Sequence, residues 1–320
     1  MQFAEYLKHC RESHSLTQEQ LVEALYHFDR ELFEGLNPPT LSRWEHGLSR
    51  TSLRRMAGIL AYFQSLDGVA LPCIDAENAD EAEALICRDR VASIFKPRTM
   101  VLDLPLVREA EEESFRVVSV RNHPRARELL KLNVLLHRGS NTPFTQVDRE
   151  RFERWMESPG NLFYAVSFGD SFLGLLFVLK LRTESFDRVL RFEGKKNDLR
   201  DEDFAAVDEP GSLYLLSFFA LSTEIATLLF RRFYAALIAN QRTIDSVGFV
   251  SSFDEAIRLG EELNLSEWGE REDAGRRILA YQASLPEVMR SSSALRVLFP
   301  KEECNPDSAS RSGPPPRPEA

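Results

Sequence analysis

Thr17-Gln18-Glu19-Gln20-Leu21, followed by Asn37-Pro38-Pro39-Thr40-Leu41-Ser42-Arg43-Trp44-Glu45-His46-Gly47, decides how the first part of this chain folds. Thr17 and Gln20 form a capping box, in which the hydroxyl accepts the Gln20 N–H and the Gln20 amide reaches back. Asn37 is a favourable N-cap. Pro38 then takes the first helical position, where its missing N–H is not needed. The second helix turns Leu41 and Trp44 inward, leaves Thr40 and Arg43 on the other side, and ends at Gly47. Two helices with these starts, the second short, have the grammar of a helix-turn-helix, whose second helix must reach base edges with its first turn.

Working outward, Phe3, Tyr6, Leu7 and Cys10 recur at helical spacing, as do Leu53, Met56, Leu60 and Phe63. Residues 1–66 are therefore expected to form an all-α domain of four or five helices around a small core. The residues Phe3–Phe63, with Leu-Thr-Gln-Glu-Gln-Leu at Leu16–Leu21 and Thr-Leu-Ser-Arg-Trp-Glu-His-Gly at Thr40–Gly47, resemble the Xre/Cro/C1 family of DNA-binding domains. One departure is the insertion at Tyr26–Leu36, which lengthens the second helix or adds a helical turn.

The resemblance implies that Gln18 touches the phosphate backbone and braces the recognition helix. It also implies that Pro39, Thr40 and Arg43 face the major groove and that Arg50 meets a backbone phosphate. Independently, arginine can bind guanine in a bidentate manner, and threonine can touch a base acceptor or a thymine methyl. Trp44 shares the Leu41 face and reads as core. Glu45 lies late in the helix and reads as ordering its end. Residues 1–66 hold seven basic against eight acidic side chains, but Asn37–Met56 holds four arginines against Glu45 alone. A reader with so small a basic field binds weakly as a monomer, so a homodimer is expected, spacing two readers by roughly 34–36 Å or a multiple.

The whole chain has 320 residues and a formal net charge of −10, which suggests more than one domain. No run is long and apolar enough to cross a bilayer, and the charged first helix lacks a signal-peptide core, so a cytoplasmic protein with no membrane partner is expected. The four cysteines, Cys10, Cys73, Cys87 and Cys304, form no C-x-x-C pair. No metal site or disulfide framework is indicated.

Residues 67–114, rich in Ala, Asp and Glu and broken by Lys96-Pro97-Arg98 and Leu104-Pro105, read as a linker with one short helix at Asp80–Arg90. Residues 301–320 lack core formers and read as a disordered tail. Between them, 115–300 alternates strands and helices. Strands are expected at Phe115–Val120, Leu162–Phe168, Phe172–Leu181, Leu213–Leu221, Ser246–Val250 and Arg277–Ala283. Helices are expected at Arg125–His137, Gln146–Met156, after Leu221 and at Asp254–Leu263. Gly169-Asp170-Ser171 is a hairpin signal, and the nearly all-apolar Leu213–Leu221 suits a central strand.

This order resembles the GNAT acyltransferase fold, so the expected architecture is multi-domain: an all-α helix-turn-helix domain followed by a GNAT-like α/β domain. The family carries Gln/Arg-x-x-Gly-x-Gly/Ala after its fourth strand, where backbone N–H groups at a helix start cradle the pyrophosphate of acyl-CoA. Leu221-Ser222-Thr223-Glu224-Ile225-Ala226 stands there in this chain, and the side-chain charge of Glu224 would repel pyrophosphate. Ala256–Leu265 resembles a second family segment, with Gly260 where a tyrosine often protonates the departing thiolate. On these two departures the domain is expected to have kept the fold and dropped the chemistry, with no catalytic residue and no cofactor.

Arg231-Arg232 reads as forming surface ion pairs. The leading expectation is a regulator that binds double-stranded DNA, and whose second domain dimerises and senses a small-molecule or protein effector. The effector cleft would lie between the fourth and fifth strands, lined by Tyr214, Phe218, Phe219 and Phe249. The alternative is an active N-acyltransferase fused to a DNA-binding domain.

Overall fold

The structure, a computed structural model, describes residues 1–95, 115–131 and 146–300, except 122, 170, 195 and 274. The later part of the helix expected at Arg125–His137, the breaks at Lys96–Arg98 and Leu104-Pro105, and the tail at 301–320 lie outside the described residues.

The first two helices are α1 (Phe3–Ser13) and α2 (Gln18–Phe28). Both halves of the Thr17 capping box form: Gln20 N–H donates to Thr17 Oγ1 at 3.2 Å, and Thr17 N–H donates to Gln20 Oε1 at 2.8 Å. The stretch Tyr26–Leu36 does both things its sequence allows. It carries α2 to Phe28, then adds a single turn, α3 (Arg30–Phe33), capped by Asp29 and pinned by the fully buried Phe33. In α4 (Pro38–Glu45), Thr40 N–H donates to Asn37 Oδ1 at 2.9 Å. Gly47, at φ +67°, ends the turn that follows, where a side chain would be strained. Leu53–Asp67 is α5.

The stretch read as a linker with one short helix carries two in its described part, α6 (Ala79–Ala84) and α7 (Arg88–Ala92). Ala70, Leu71, Ile74, Ala82, Ile86 and Val91 are all buried. They pack without a helical or strand period, because each is placed by the surface it meets.

The sheet has seven strands in the order β1-β2-β3-β4-β5-β7-β6. These are β1 (Arg116–Ser119), β2 (Leu162–Phe168), β3 (Ser171–Leu181), β4 (Gly211–Ala220), β5 (Ile244–Ser251), β6 (Ser266–Asp273) and β7 (Arg276–Ser284). Every pairing is antiparallel except β4 with β5. Gly169 sits at φ +54° in the hairpin between β2 and β3.

The helices of this part are α8 (Gln146–Glu157), α9 (Thr183–Leu190), α10 (Thr223–Ala239), α11 (Asp254–Glu262), α12 (Leu285–Met289) and α13 (Ser292–Leu298). The period of two along β3 divides the core. Leu176 and Val178 face α10, whereas Leu175, Phe177 and Leu179 face α8 and α9 with Trp155 and Phe186.

The α10 side of the sheet and the N-terminal helices share one apolar cluster. Phe299, just past α13, sets its ring 5.3 Å from Phe3 and 5.0 Å from Tyr6. Polar side chains bridge the same seam. Gln64 of α5 donates to the carbonyls of Ala70 and Pro286, and Gln241, beyond α10, accepts from Leu71 N–H and donates to the Ile74 carbonyl. The residues 68–74 are thus held from both sides.

Candidate functional site: the β4–β5 fork

β4 and β5 pair in parallel only as far as Leu213 with Val247 and Tyr214 with Gly248. Beyond that point β4 continues beside β3 to Ala220, and β5 continues beside β7 to Ser251. Among the described residues, the β4–β5 ladder does not continue past Tyr214 and Gly248. The two strands separate into a fork.

A bulge marks where the separation begins. Phe177 pairs with Ser217 and Val178 with Leu215, so Leu216 is an extra residue on β4. The extra residue also reverses the facing of everything after it. Leu213 and Leu215 lie on the α10 face and Tyr214 and Leu216 on the other; past the bulge it is Phe218 that joins the α10 face, and Phe219 the other. Tyr214 marks the throat. It is fully buried, its phenol pushed up by burial, and the Val250 backbone hydrogen-bonds its hydroxyl across the gap.

α10 starts at the open end of β4, so the positive end of its dipole points into the fork region. Ser222 caps it, its hydroxyl accepting from Ile225 N–H at 3.3 Å. Glu224, in the first turn, is ion-paired with Arg88 of α7 at 2.9 Å, both partly exposed. The Thr223 hydroxyl donates to the Phe95 carbonyl at 3.4 Å, and the Phe95 ring lies 5.6 Å from Phe218 and 4.8 Å from Phe230. The segment ending at Phe95 therefore borders the start of α10. No sequence signal pointed to Arg88, because 136 residues separate it from Glu224.

The four aromatic residues expected to line one cleft do not share a side. Tyr214 and Phe219 belong to the face under α8 and α9, while Phe218 and Phe249 belong to the α10 face. Phe249 stacks on Tyr281 with centroids 5.5 Å apart. That stack also explains Gly260: a Cβ there would meet the Phe249 ring at 3.0 Å, so the position holds no larger residue without moving it.

The DNA-facing expectations fall on α4 and the loop after it, with Gln18 on α2. Pro39 and Arg43 are exposed on α4 and Thr40 is half-buried; Arg50 is exposed in the loop after it. Gln18 donates to Glu45 Oε2 at 2.8 Å, and Arg11 grips the same carboxylate from α1 at 2.6 Å. Glu45 is thus a buried brace joining α1, α2 and α4, and Trp44 is buried beside it.

The expected ion pairing of Arg231-Arg232 is present, with Arg231 meeting Glu83 and Arg232 meeting Asp80 and Glu83, so both arginines clamp α6 to α10. At the paired end of β4 and β5, a cavity of about 50 Å³ is lined by Gly160, Lys180, Val207, Asn240 and Ile244 among others. Lys180 Nζ is satisfied by the carbonyls of Ala206 and Val207 and by Thr243 Oγ1, which makes it a structural tie.

No protein-family profile and no curated protein matches the sequence. Solved structures do. FeeM, an N-acyl amino acid synthase from uncultured soil microbes, is 12% identical, with 56% of this chain and 95% of that chain covered and a TM-score of 0.37. An acetyltransferase from Streptococcus agalactiae is 11% identical over 54% and 99%, with a TM-score of 0.36. An acetyltransferase of the GNAT family from Streptococcus pneumoniae is 11% identical over 53% and 98%, with a TM-score of 0.33. The C-terminal region is thus similar in fold to GNAT acetyltransferases, and likeness at this level concerns the fold alone.

One expectation is corrected here. The reading of the chain as a non-enzyme rested on lost family residues, yet the solved structures it is similar to are described as acyl- or acetyltransferases. Its electrostatic basis also weakens, because the charge of Glu224 stands against Arg88 rather than alone. No described helix is long and apolar enough to cross a membrane.

Proposed function

We propose that the chain is an acyltransferase that takes an acyl thioester into the fork between β4 and β5, with the phosphate-bearing end of the donor at the start of α10. The observation that carries this reading is the fork itself. Parallel pairing stops at Tyr214 and Gly248, a bulge turns β4 away, and a helix N-terminus begins where β4 ends. An acyl carrier that enters between the diverging strands reaches the start of α10, whose helix end attracts its negative charge. Arg88 supplies a cation at the same place, and its pairing with Glu224 sets how much of that charge reaches a ligand.

The test is calorimetric titration of the whole protein with acetyl-CoA and longer acyl-CoAs, joined to a thiol-release assay with an amine panel. Binding within about 1 μM–1 mM is expected, the usual range for enzyme substrates. Arg88→Ala should weaken it by roughly tenfold, the loss of one charge-assisted contact, and Glu224→Gln should not weaken it. A folded protein that binds no acyl-CoA, or an Arg88→Ala variant that binds more tightly, would refute the reading.

A second activity is supported by a separate observation. α4 is anchored from within by Leu41, Trp44 and the Glu45 brace, and it leaves Pro39 and Arg43 exposed and Thr40 half-buried. This is the arrangement a major-groove reader needs, so we infer that the N-terminal helices bind duplex DNA as a homodimer. Selection from random duplexes should recover a two-fold site. Arg43→Ala should then cost about 1–3 kcal/mol and relax one position, while Arg50→Ala weakens all sites alike. Recovery of no enriched sequence at low salt would end this reading.

A further inference from the structure

His14, Asp67 and Cys73 are far apart in the sequence but meet in the fold. One nitrogen, one carboxylate oxygen and one sulfur lie within 4.8 Å of one another. We propose that these three side chains bind a thiophilic divalent cation of the zinc class, at the seam between the N-terminal helices and the rest of the chain. This rests on neither functional reading above.

Three features of the cluster point to a ligand set. First, the donors are mixed nitrogen, oxygen and sulfur, a combination that favours zinc over magnesium or calcium, which take oxygen alone. Second, the imidazole is already oriented. His14 Nδ1 lies 2.8 Å from the Cys10 carbonyl, to which its N–H donates, so Nε2 is turned toward Asp67 Oδ1, also at 2.8 Å. A histidine whose far nitrogen is fixed by a carbonyl is the usual outer-shell arrangement of a metal ligand. Third, each donor is fixed to a different rigid piece: His14 caps the end of α1, Asp67 is the last residue of α5, and Cys73 sits in a turn at φ +60°.

The geometry needs adjustment on the scale of an ångström, since the donors lie within 4.8 Å of one another. Bonds of about 2.0–2.3 Å to a tetrahedral ion place its donors roughly 3.3–3.8 Å apart. The His14–Asp67 contact must therefore open by about half an ångström, which the exposed Asp67 side chain permits. The metal would take the place of the proton now shared there, and the Cys73 thiol would lose its own. Cys10, buried one helical turn before His14, is a second thiol beside Cys73. Its thiol donates to the Pro72 carbonyl, and with three donors in the cluster the ion's fourth position falls to water.

The site would have a structural consequence. Cys73 adjoins the residues that Gln64 and Gln241 hold by backbone hydrogen bonds. A bound ion would lock that turn to α1 and α5 and so stiffen the join between the two halves of the chain.

The experiment uses the full-length reduced protein, loaded with Zn²⁺ or Co²⁺ and freed of excess by gel filtration. One equivalent of zinc is expected by elemental analysis. The cobalt form should show intense tetrahedral ligand-field bands and a thiolate charge-transfer band. Cys73→Ser should abolish the charge-transfer band, and both it and the surface variant Asp67→Asn should lower affinity at least tenfold, while Cys87→Ser should leave it unchanged. Zinc should raise the Tm of the native protein and not of Cys73→Ser. Failure to retain metal, a cobalt spectrum without the thiolate band, or a Cys10–Cys73 disulfide in place of bound metal would each overturn the proposal.

Discussion

Glu45 offers the sharpest test of how the N-terminal helices are held. Its carboxylate is 1% exposed and accepts from Arg11 Nε at 2.6 Å, Arg11 Nη2 at 3.1 Å and Gln18 Nε2 at 2.8 Å. Glu45→Ala would leave the Arg11 guanidinium, itself only 13% exposed, with the Leu16 carbonyl at 2.9 Å and Glu12 at 3.5 Å, and would leave Gln18 without this partner. Removing one member of a buried ion pair costs about 3–5 kcal/mol, most of it the stranded partner charge. Arg11 keeps some access to water, which places the expected loss near the lower end, about 3 kcal/mol.

The same reasoning predicts a recovery. If the stranded charge is the main cost, the double variant Arg11→Met/Glu45→Leu should lie within about 1 kcal/mol of the native protein, because a packed apolar pair carries no desolvation penalty. Urea unfolding followed by tryptophan fluorescence measures both, since Trp44 adjoins the brace. A Glu45→Ala loss below about 1 kcal/mol would show that the pair is effectively solvated. A double variant as unstable as the summed single changes would show that geometry, not buried charge, is what the brace supplies.

Two further outcomes follow from the α/β part. Burial by itself would raise the pKa of Asp203, but the Arg200 N–H, the Ser185 hydroxyl and Arg188 outweigh it and hold the carboxyl below its ordinary value. Its contribution to stability is therefore fully present above the unfolded value of about 3.9 and is lost as pH falls through the lower folded one. Asp203→Asn should be less stable at neutral pH, with the gap closing in urea titrations below about pH 4; a gap that persists there would refute the linkage. At Gly174 a Cβ would stand 2.5 Å from Ile225 Cγ2 and 2.9 Å from the Phe219 carbonyl. Gly174→Ala should cost about 1–3 kcal/mol and, by shifting the first turn of α10, weaken acyl-donor binding as well; a neutral substitution would show that α10 is not seated as closely as the structure has it.

What could be read from the sequence was local chemistry. Thr17 with Gln20, and Asn37 with Pro38, specify their helix starts within four residues, and the structure makes those same bonds. The apolar runs of β3 and β4 read as strands because burial on both faces leaves only apolar side chains. β6 shows the converse. Ser-Glu-Trp-Gly-Glu-Arg-Glu-Asp at Ser266–Asp273 is an edge strand, exposed along nearly its whole length, and only pairing with β7 makes it a strand. The helix α9 likewise starts without a capping side chain. By contrast, the start of α12 is written in the sequence, where Ser284 and Glu287 form a capping box around Pro286.

The fork and the His14–Asp67–Cys73 cluster resisted reading for a different reason, which is that residues 68–95 contribute to both. Composition marks that stretch as a linker, because its buried residues follow no period and its polar residues resemble a solvated chain. Yet it supplies Arg88 and Phe95 to the start of α10, Cys73 to the cluster at the end of α1, and Leu71 and Ile74 to the Gln241 clamp. A segment of this kind takes its shape from the two surfaces it joins, so its contacts depend on their relative position rather than on its own propensities. Conversely, a change in either surface must alter the other through it. Displacing α7 from Glu224 moves Phe95, which adjoins the start of α10, and opening the turn at Cys73 loosens α1 against α5. A protein in which the fork and the N-terminal helices responded independently to such changes would need a slack connection between them, and among the described residues those buried from Ala70 to Val91 leave none.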